Sequence, residues 1–393
     1  MNAHFLKAII VFIFTAATFL AVHKGDRNLA TNFDRIKALA TWAVPVELVP
    51  TRAVEGPVFK GHDMPRLRGA MVSPGIDEAG LRTIGREWNA NVIRWQIVNF
   101  DKRSETSLEL ANYDAWLEGE LVKLDAALLH CEKYGLMVVI DLHSPPGGRM
   151  TSGGYVGSNG DLFNSNAAQE KFVEVWQKLA HRYKDSRAVW GYDLINEPVE
   201  GKVGWLAADW QELAGRAARA VRAIDPKHAI IVQPAQHGNP IGLKKLRPLD
   251  VPGVVYSVHM YLPHVFTHQG IKDRGAKQWV YPGEIAGKRW DKAALEEALQ
   301  PAMEFQQHYG VHIFIGEFSA IRWAPDGSAF RYMKDVIDIF EAHGWDWTYH
   351  AFREWNGWSV EHGVDREDTK PAAVPTDREK LLREWFAKNS KPF

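Results

Sequence analysis

The chain has 393 residues, 46% of them hydrophobic, and carries 47 Lys plus Arg against 48 Asp plus Glu. That composition supports a sizeable core, and its balanced charge leaves no electrostatic footprint for nucleic acid or an acidic polymer; it suits a neutral substrate. The single cysteine, Cys131, excludes an intramolecular disulfide and a cysteine-based metal cluster.

Lys7 precedes an apolar run over residues 8–22, after which polar residues resume at His23, Lys24, Asp26 and Arg27. The run is short for a membrane-spanning helix, which needs about 20 residues, and fits the apolar core of a signal peptide. It lacks the polar face of a domain helix. Residues 1–23 are therefore expected to be a signal peptide or an N-terminal membrane anchor. The expected location is outside the cytoplasm: periplasmic, secreted, or anchored facing outward. Residues 24–62, with Pro45, Pro50 and Pro57, read as a tether or approach segment, and 63–393 as the catalytic domain. No Ser/Thr/Pro-rich linker, repeat or appended binding module follows.

From residue 67 onward short β-rich apolar runs alternate with helical patterns. Strands are predicted at 67–72, 92–96, 137–141, 189–194, 230–232, 254–259, 312–316 and 347–352. Helices are predicted at 113–134, 166–183, 204–224, 291–309 and 330–343. Eight apolar strands with intervening helices predict a (β/α)₈ TIM barrel. No G-x-G-x-x-G or phosphate-binding loop follows the first strand, which disfavours a dinucleotide-binding fold. Cys131 lies in the helical pattern after Leu128 and Leu129 and reads as a small buried hydrophobe. The 16 Trp exceed obvious core needs and suggest flat faces for sugar rings.

In such a barrel, chemistry sits at the carboxyl ends of the strands. Strand two carries Arg94 inside an apolar run, and a buried arginine must be paired. Strand three ends in Asp141-Leu142-His143, strand four in Asn196-Glu197-Pro198, strand six in His259-Met260-Tyr261 and strand seven in Gly316-Glu317-Phe318. Strand eight passes through His350 and Phe352 toward Arg353-Glu354-Trp355. Either glutamate alone reads equally well as a helix-start neighbour or a strand end. Together they supply the two carboxyl groups that glycoside hydrolysis needs, with a separation of about 5–5.5 Å expected for retention of configuration.

On these residues the sequence resembles glycoside hydrolase family 5, the cellulase-type family. The resemblance spans residues 67–358 and rests on Trp190-Gly191-Tyr192-Asp193 before Asn196-Glu197-Pro198, on Ile315-Gly316-Glu317-Phe318, on His259-x-Tyr261 and on Asp141-Leu142-His143. It implies Glu197 as acid/base and Glu317 as nucleophile. Arg94 and Tyr261 would hydrogen-bond the nucleophile, His143 and His259 would line the subsite at the cleavage point, and Asn196 would hold the 2-hydroxyl. The charge on Glu317 would help Glu197 keep its proton until the glycosyl-enzyme forms. The family places a tryptophan platform after strand eight. Trp355 is the best match there, although Phe352 ends the strand and Trp358 follows. The glycine-rich loop 145–163 is long for a strand–helix connection; it reads equally as a wall of the cleft, with Tyr155 offering a stacking face, and as an ordered structural loop.

No cofactor or metal is expected: strand one ends in Met71-Val72-Ser73-Pro74, without the His-x-His of metal-dependent barrel hydrolases. The expected partner is an oligo- or polysaccharide, and the expected state a monomer. A β-glucan is favoured as substrate. The alternatives are a β-mannanase, an exo-β-1,3-glucanase, and a non-catalytic glycan-binding barrel. Endo and exo action stay open, as does polymer trimming at the cell envelope.

Overall fold

The strands β1 (Arg68–Val72), β2 (Val92–Ile97), β3 (Met137–Leu142), β4 (Val189–Asp193), β5 (Ala229–Val232), β6 (Val254–Met260), β9 (Ile313–Phe318) and β10 (Asp346–Phe352) close into a parallel barrel in that order, β10 pairing back onto β1. The computed structural model describes residues 57–99, 110–148, 161–200, 203–204, 206–275 and 277–393. The signal or anchor segment, most of the approach segment and the Tyr155 stretch of the long loop lie outside the described residues. Among those residues no helix is long and apolar enough to cross a membrane.

Every barrel strand is buried along its length except at Met137, which explains why the strands read as unbroken apolar runs rather than alternating ones. The helices α1 (Leu110–Tyr134), α2 (Asn166–Tyr183), α3 (Trp210–Ile224), α4 (Lys292–Tyr309) and α5 (Ser328–Ala342) connect the strands, and α6 (Asp377–Phe386) follows the last. Their starts follow local capping chemistry. The side chains of Ser165, Asp209, Asp291 and Thr376 accept hydrogen bonds from Ala168, Glu212, Ala294 and Glu379 N–H groups, respectively. Cys131 is fully buried within α1, where burial pushes its thiol pKa up.

One pair of elements was not anticipated: the antiparallel hairpin β7 (Gly283–Ile285) and β8 (Lys288–Trp290) in the connection after β6. Its strands are too short to show a period of two. Its Ala286-Gly287 turn places both residues at positive φ, 50° and 82°.

Tryptophan proves largely structural. Trp95, Trp176, Trp190, Trp210, Trp345 and Trp347 are fully buried. Five of these satisfy their indole N–H, as when Trp176 donates to the Leu194 carbonyl and Trp210 to the Gln233 carbonyl.

The barrel interior changes character along its axis because side chains on one strand face alternate with period two. Leu67, Val92, Val139, Trp190, Ala229, Ile231, Val255 and Phe314 form an apolar floor. Two residues further along, the same faces carry Arg94, Asp141, Gln233 and Ser257, all fully buried. The floor is closed from below by residues 60–67. Trp190 Nε1 donates to the Lys60 carbonyl (2.8 Å), and Leu67 N donates to Asp346 Oδ1 (2.8 Å). His62 Nε2 and His312 Nε2 each lie 2.7 Å from Asp346 Oδ2.

Burial alone would raise the pKa of Asp346, but His312 and His62 outweigh it and hold the carboxyl far below its usual range. Asp346→Asn is expected to destabilise the protein by about 3–5 kcal/mol, the cost of stranding buried partners, read as a lower denaturation midpoint at pH 7. A depressed carboxyl pKa stabilises fully above the unfolded value of about 4 and loses its contribution as pH falls below it. The gap between variant and wild type should therefore narrow on acidification.

Candidate active site

The polar centre of the barrel is organised by Arg94, which is fully buried. Its Nη1 donates to Glu317 Oε1 (2.7 Å), its Nε to Asp193 Oδ2 (2.9 Å) and its Nη2 to Asn196 Oδ1 (3.0 Å). Nη2 also lies 3.0 Å from Asp141 Oδ1. One guanidinium thus faces three carboxyl groups. Burial alone would lower its pKa, but Asp141, Asp193 and Glu317 reverse that and raise it. The imbalance shows on Asp193, whose pKa is raised to about 6 by burial and by Asp141, against Arg94.

Glu317 sits at the end of β9, where the register against β6 slips between Val258 and His259, so that His259 pairs with Glu317 across Gly316. The irregularity re-aims the carboxyl into the barrel mouth. Gly316 is required there, because a Cβ at that position would lie 2.9 Å from His259 Nε2 and 2.8 Å from Ser257 Oγ. Tyr261 Oη donates to Glu317 Oε2 (2.9 Å). Burial would raise the Glu317 pKa; His259, His350, Arg94 and His143 outweigh it and hold the carboxyl well below the usual range.

Glu197 follows β4 in the left-handed region, at φ 46°. For a residue with a Cβ this backbone costs of order 1–3 kcal/mol and persists only where its surroundings over-determine it. Gln233 does so: its Oε1 accepts the Glu197 N–H (3.0 Å), while its Nε2 donates to both carboxyl oxygens of Asp193 (3.1 and 3.0 Å). The backbone carrying Glu197 is thereby tied to the carboxylate that holds Arg94. His259 Nδ1 lies 2.9 Å from Glu197 Oε1 and 3.7 Å from Glu317 Oε2. One carboxyl oxygen from each glutamate and the His259 nitrogen all lie within 4.8 Å of one another. The Glu197 side chain is 22% exposed against 6% for Glu317, so one carboxyl faces the opening and the other the interior.

Asn196 and His143 form the adjoining wall. His143 Nδ1 hydrogen-bonds Asp141 Oδ2 (2.7 Å), and Asn196 Nδ2 lies 3.1 Å from His143 Nε2. With the proton on Nδ1, His143 Nε2 accepts from Asn196, whose Oδ1 accepts from Arg94. The amide orientation is thus set from both ends, using one of the two Asn196 amide N–H groups.

The structure brings seven of the eight residues singled out in the sequence (Arg94, His143, Asn196, Glu197, His259, Tyr261 and Glu317) into one hydrogen-bonded cluster. Trp355 stands at its edge. It is 42% exposed and packs edge-on against Trp323 (5.9 Å between centroids) and Trp358 (5.8 Å). Trp358 in turn lies 6.1 Å from the Tyr261 ring and 5.7 Å from the His350 ring. Asp193, Gln233, His350, Glu354 and Gln96 were missed. Asp193 had a usable signal, since Arg94 in an apolar strand demanded buried carboxylates.

The family model described as Cellulase (glycosyl hydrolase family 5) matches residues 60–356. The chain belongs to this family. Endoglucanase C of Acetivibrio thermocellus is 27% identical over 286 residues, covering 67% of this chain and 80% of the relative. Cellodextrinase A of Ruminococcus flavefaciens is 28% identical over 242 residues, 59% of this chain and 68% of the relative. Among solved structures, Thermotoga maritima Cel5A in complex with cellobiose superimposes with a TM-score of 0.61 at 23% identity, covering 83% of this chain and 99% of that one. The family 5 protein is an O-glycosyl hydrolase of the cellulase type.

Gln233→Leu tests the link between the two halves of the site. Without the side-chain acceptor, the strained backbone at Glu197 is free to relax, and displacing a reacting group by about 1 Å costs on the order of a hundredfold. kcat is expected to fall roughly ten- to a hundredfold with KM nearly unchanged, measured by reducing-sugar release. A variant with wild-type kcat would mean that Gln233 does not position Glu197.

Proposed function

We propose that this enzyme hydrolyses a β-glucan with retention of anomeric configuration, Glu317 acting as nucleophile and Glu197 as acid/base. The observation that carries the reading is the approach of the two carboxyl groups, with facing oxygens inside 4.8 Å. That spacing suits direct attack by one carboxylate and leaves too little room for the water an inverting enzyme places between substrate and base, for which the groups stand about 6.5–9.5 Å apart. The β-glucan assignment draws on the names of the relatives, an endoglucanase and a cellodextrinase.

The two glutamates differ as their roles require. Glu317, flanked by Arg94 and Tyr261, is ionised and attacks the anomeric carbon. Glu197 donates its proton to the glycosidic oxygen as that bond breaks, releasing the leaving sugar and forming a glycosyl ester on Glu317. Glu197, now ionised, takes a proton from water, whose oxygen attacks the same carbon. The Glu317 carboxylate leaves, and Glu197 again carries its proton. The second Asn196 N–H holds the 2-hydroxyl, whose hydrogen bond strengthens as charge develops on the ring. His143 and His259 line the subsite. Trp355 offers an exposed indole face at the rim for a sugar further along the chain. The apolar run at residues 8–22 directs export, as a signal peptide or an anchor.

Incubation with a panel of β-1,4-glucan, β-1,3-glucan and β-mannan, followed by proton NMR of the first products, tests both parts. The expected result is turnover of a β-glucan, with the β-anomer appearing before mutarotation. Products that start as the α-anomer would refute the mechanism, and turnover of β-mannan alone would refute the substrate class. Glu197→Ala is expected to lower kcat on the natural glycan by about 10²–10⁴.

A further inference from the structure

Behind the proposed nucleophile lies a second layer of charged groups that the mechanism above does not use. Tyr261 Oη has one proton and two neighbours competing for it, Glu317 Oε2 at 2.9 Å and His350 Nδ1 at 2.7 Å. The imidazole is the closer. A bare lone pair at Nδ1 would draw the hydroxyl proton away from Glu317, whereas an N–H there can only donate to the phenol oxygen and leaves the proton pointing at Glu317. The other ring nitrogen, Nε2, faces Glu354 Oε1 at 3.4 Å. The amide nitrogen of Gln96 reaches Glu354 Oε2 and the Val72 carbonyl, both of them acceptors. Gln96 therefore presents only donors to Glu354, as an ionised carboxylate requires.

We propose that Glu354 and Gln96 keep His350 doubly protonated, and that His350 thereby fixes the Tyr261 hydroxyl as a permanent donor to Glu317 through both halves of the catalytic cycle. His350 and Glu354 are positioning residues, acting through Tyr261. The inference rests on Glu317 being the nucleophile. The charged and titratable groups facing His350 are Tyr261 just after β6, Glu317 from β9 and Glu354 from the loop after β10, with Glu197 and His268 within electrostatic reach. Burial alone would lower the imidazole pKa; Glu354 and Glu317 outweigh it and the net shift is upward. The Glu354 carboxyl, although buried, is held below its usual range by His350 and Gln96.

The second carboxylate matters once Glu317 is esterified. In the free enzyme both Glu317 and Glu354 hold the imidazolium. In the glycosyl-enzyme Glu317 has lost its charge, and only Glu354 still does. Tyr261 then still donates to the ester that must leave as a carboxylate. Removing the Glu354 charge should therefore penalise breakdown of the glycosyl-enzyme more than its formation.

Glu354→Gln tests this with 2,4-dinitrophenyl β-cellobioside, whose good leaving group makes formation of the intermediate fast. The variant is expected to show kcat lowered roughly tenfold or more, the worth of a hydrogen bond to a charged group, with KM lowered in parallel and a burst of dinitrophenol followed by a correspondingly slower steady state than in the wild type. In a Tyr261→Phe background the same substitution should change kcat less than twofold. Imidazole ¹⁵N NMR of the full chain, with His350 assigned by loss of its signal in His350→Gln, should show both nitrogens protonated at pH 7 in the wild type and a neutral ring in Glu354→Gln. A neutral His350 in the wild type at pH 7, an unchanged ring in Glu354→Gln, or effects of Glu354→Gln and Tyr261→Phe that simply multiply would each overturn the relay. Wild-type turnover by Glu317→Gln would instead overturn the assignment of the nucleophile, whatever the state of His350.

Discussion

A single guanidinium, Arg94, lies in the dry centre of the barrel and faces three carboxyl groups and an amide. A buried charge is tolerable only when it is paired and hydrogen-bonded, and three carboxyl groups around one arginine over-satisfy that demand. The surplus negative charge has to be absorbed nearby. Asp193 absorbs part of it through a raised pKa and two hydrogen bonds from Gln233. The histidines around Glu317 absorb more. The site is thus a balanced charge network in which the position of each side chain depends on the others. Glu197 enters that network twice, through its backbone N–H, held by Gln233, and through its carboxyl, which meets His259.

The barrel divides the labour along its axis. The apolar floor and the His62–Asp346–His312 contact beneath it hold the strand starts. The strand ends hold the charges. Because every strand runs in the same direction, the period-two alternation that puts Val92, Val139 and Ile231 in the floor puts Arg94, Asp141 and Gln233 above them. Stability and chemistry therefore share faces of the same strands without sharing residues.

Much of this was legible in the sequence, for a physical reason. Barrel strands covered on both faces must be apolar throughout, so all eight stood out, with observed ends within two residues of those expected. A polar residue inside or ending such a run is costly, so Arg94, His143, Glu197, His259 and Glu317 stood out against their surroundings. The support residues did not. Gln233 and Gln96 carry no charge and look like ordinary strand-end residues. The contacts of His350 exist only through Tyr261 and Glu354, and Tyr261 follows a strand that lies about 90 residues earlier. The hairpin β7–β8 was invisible because three-residue strands carry no period. Trp355 was singled out by its place after the last strand, but its neighbours Trp323 and Trp358 depend on how two loops fold together.

In the proposed chemistry a carboxyl oxygen of Glu317, and none of Glu197, bonds to the sugar. Labelling with a 2-deoxy-2-fluoro-β-cellobiosyl donor, which forms the glycosyl-enzyme but breaks it down slowly, followed by peptide mapping by mass spectrometry, tests it directly. The account predicts one sugar per chain, attached to Glu317. A label on Glu197, or on any other residue, would contradict it.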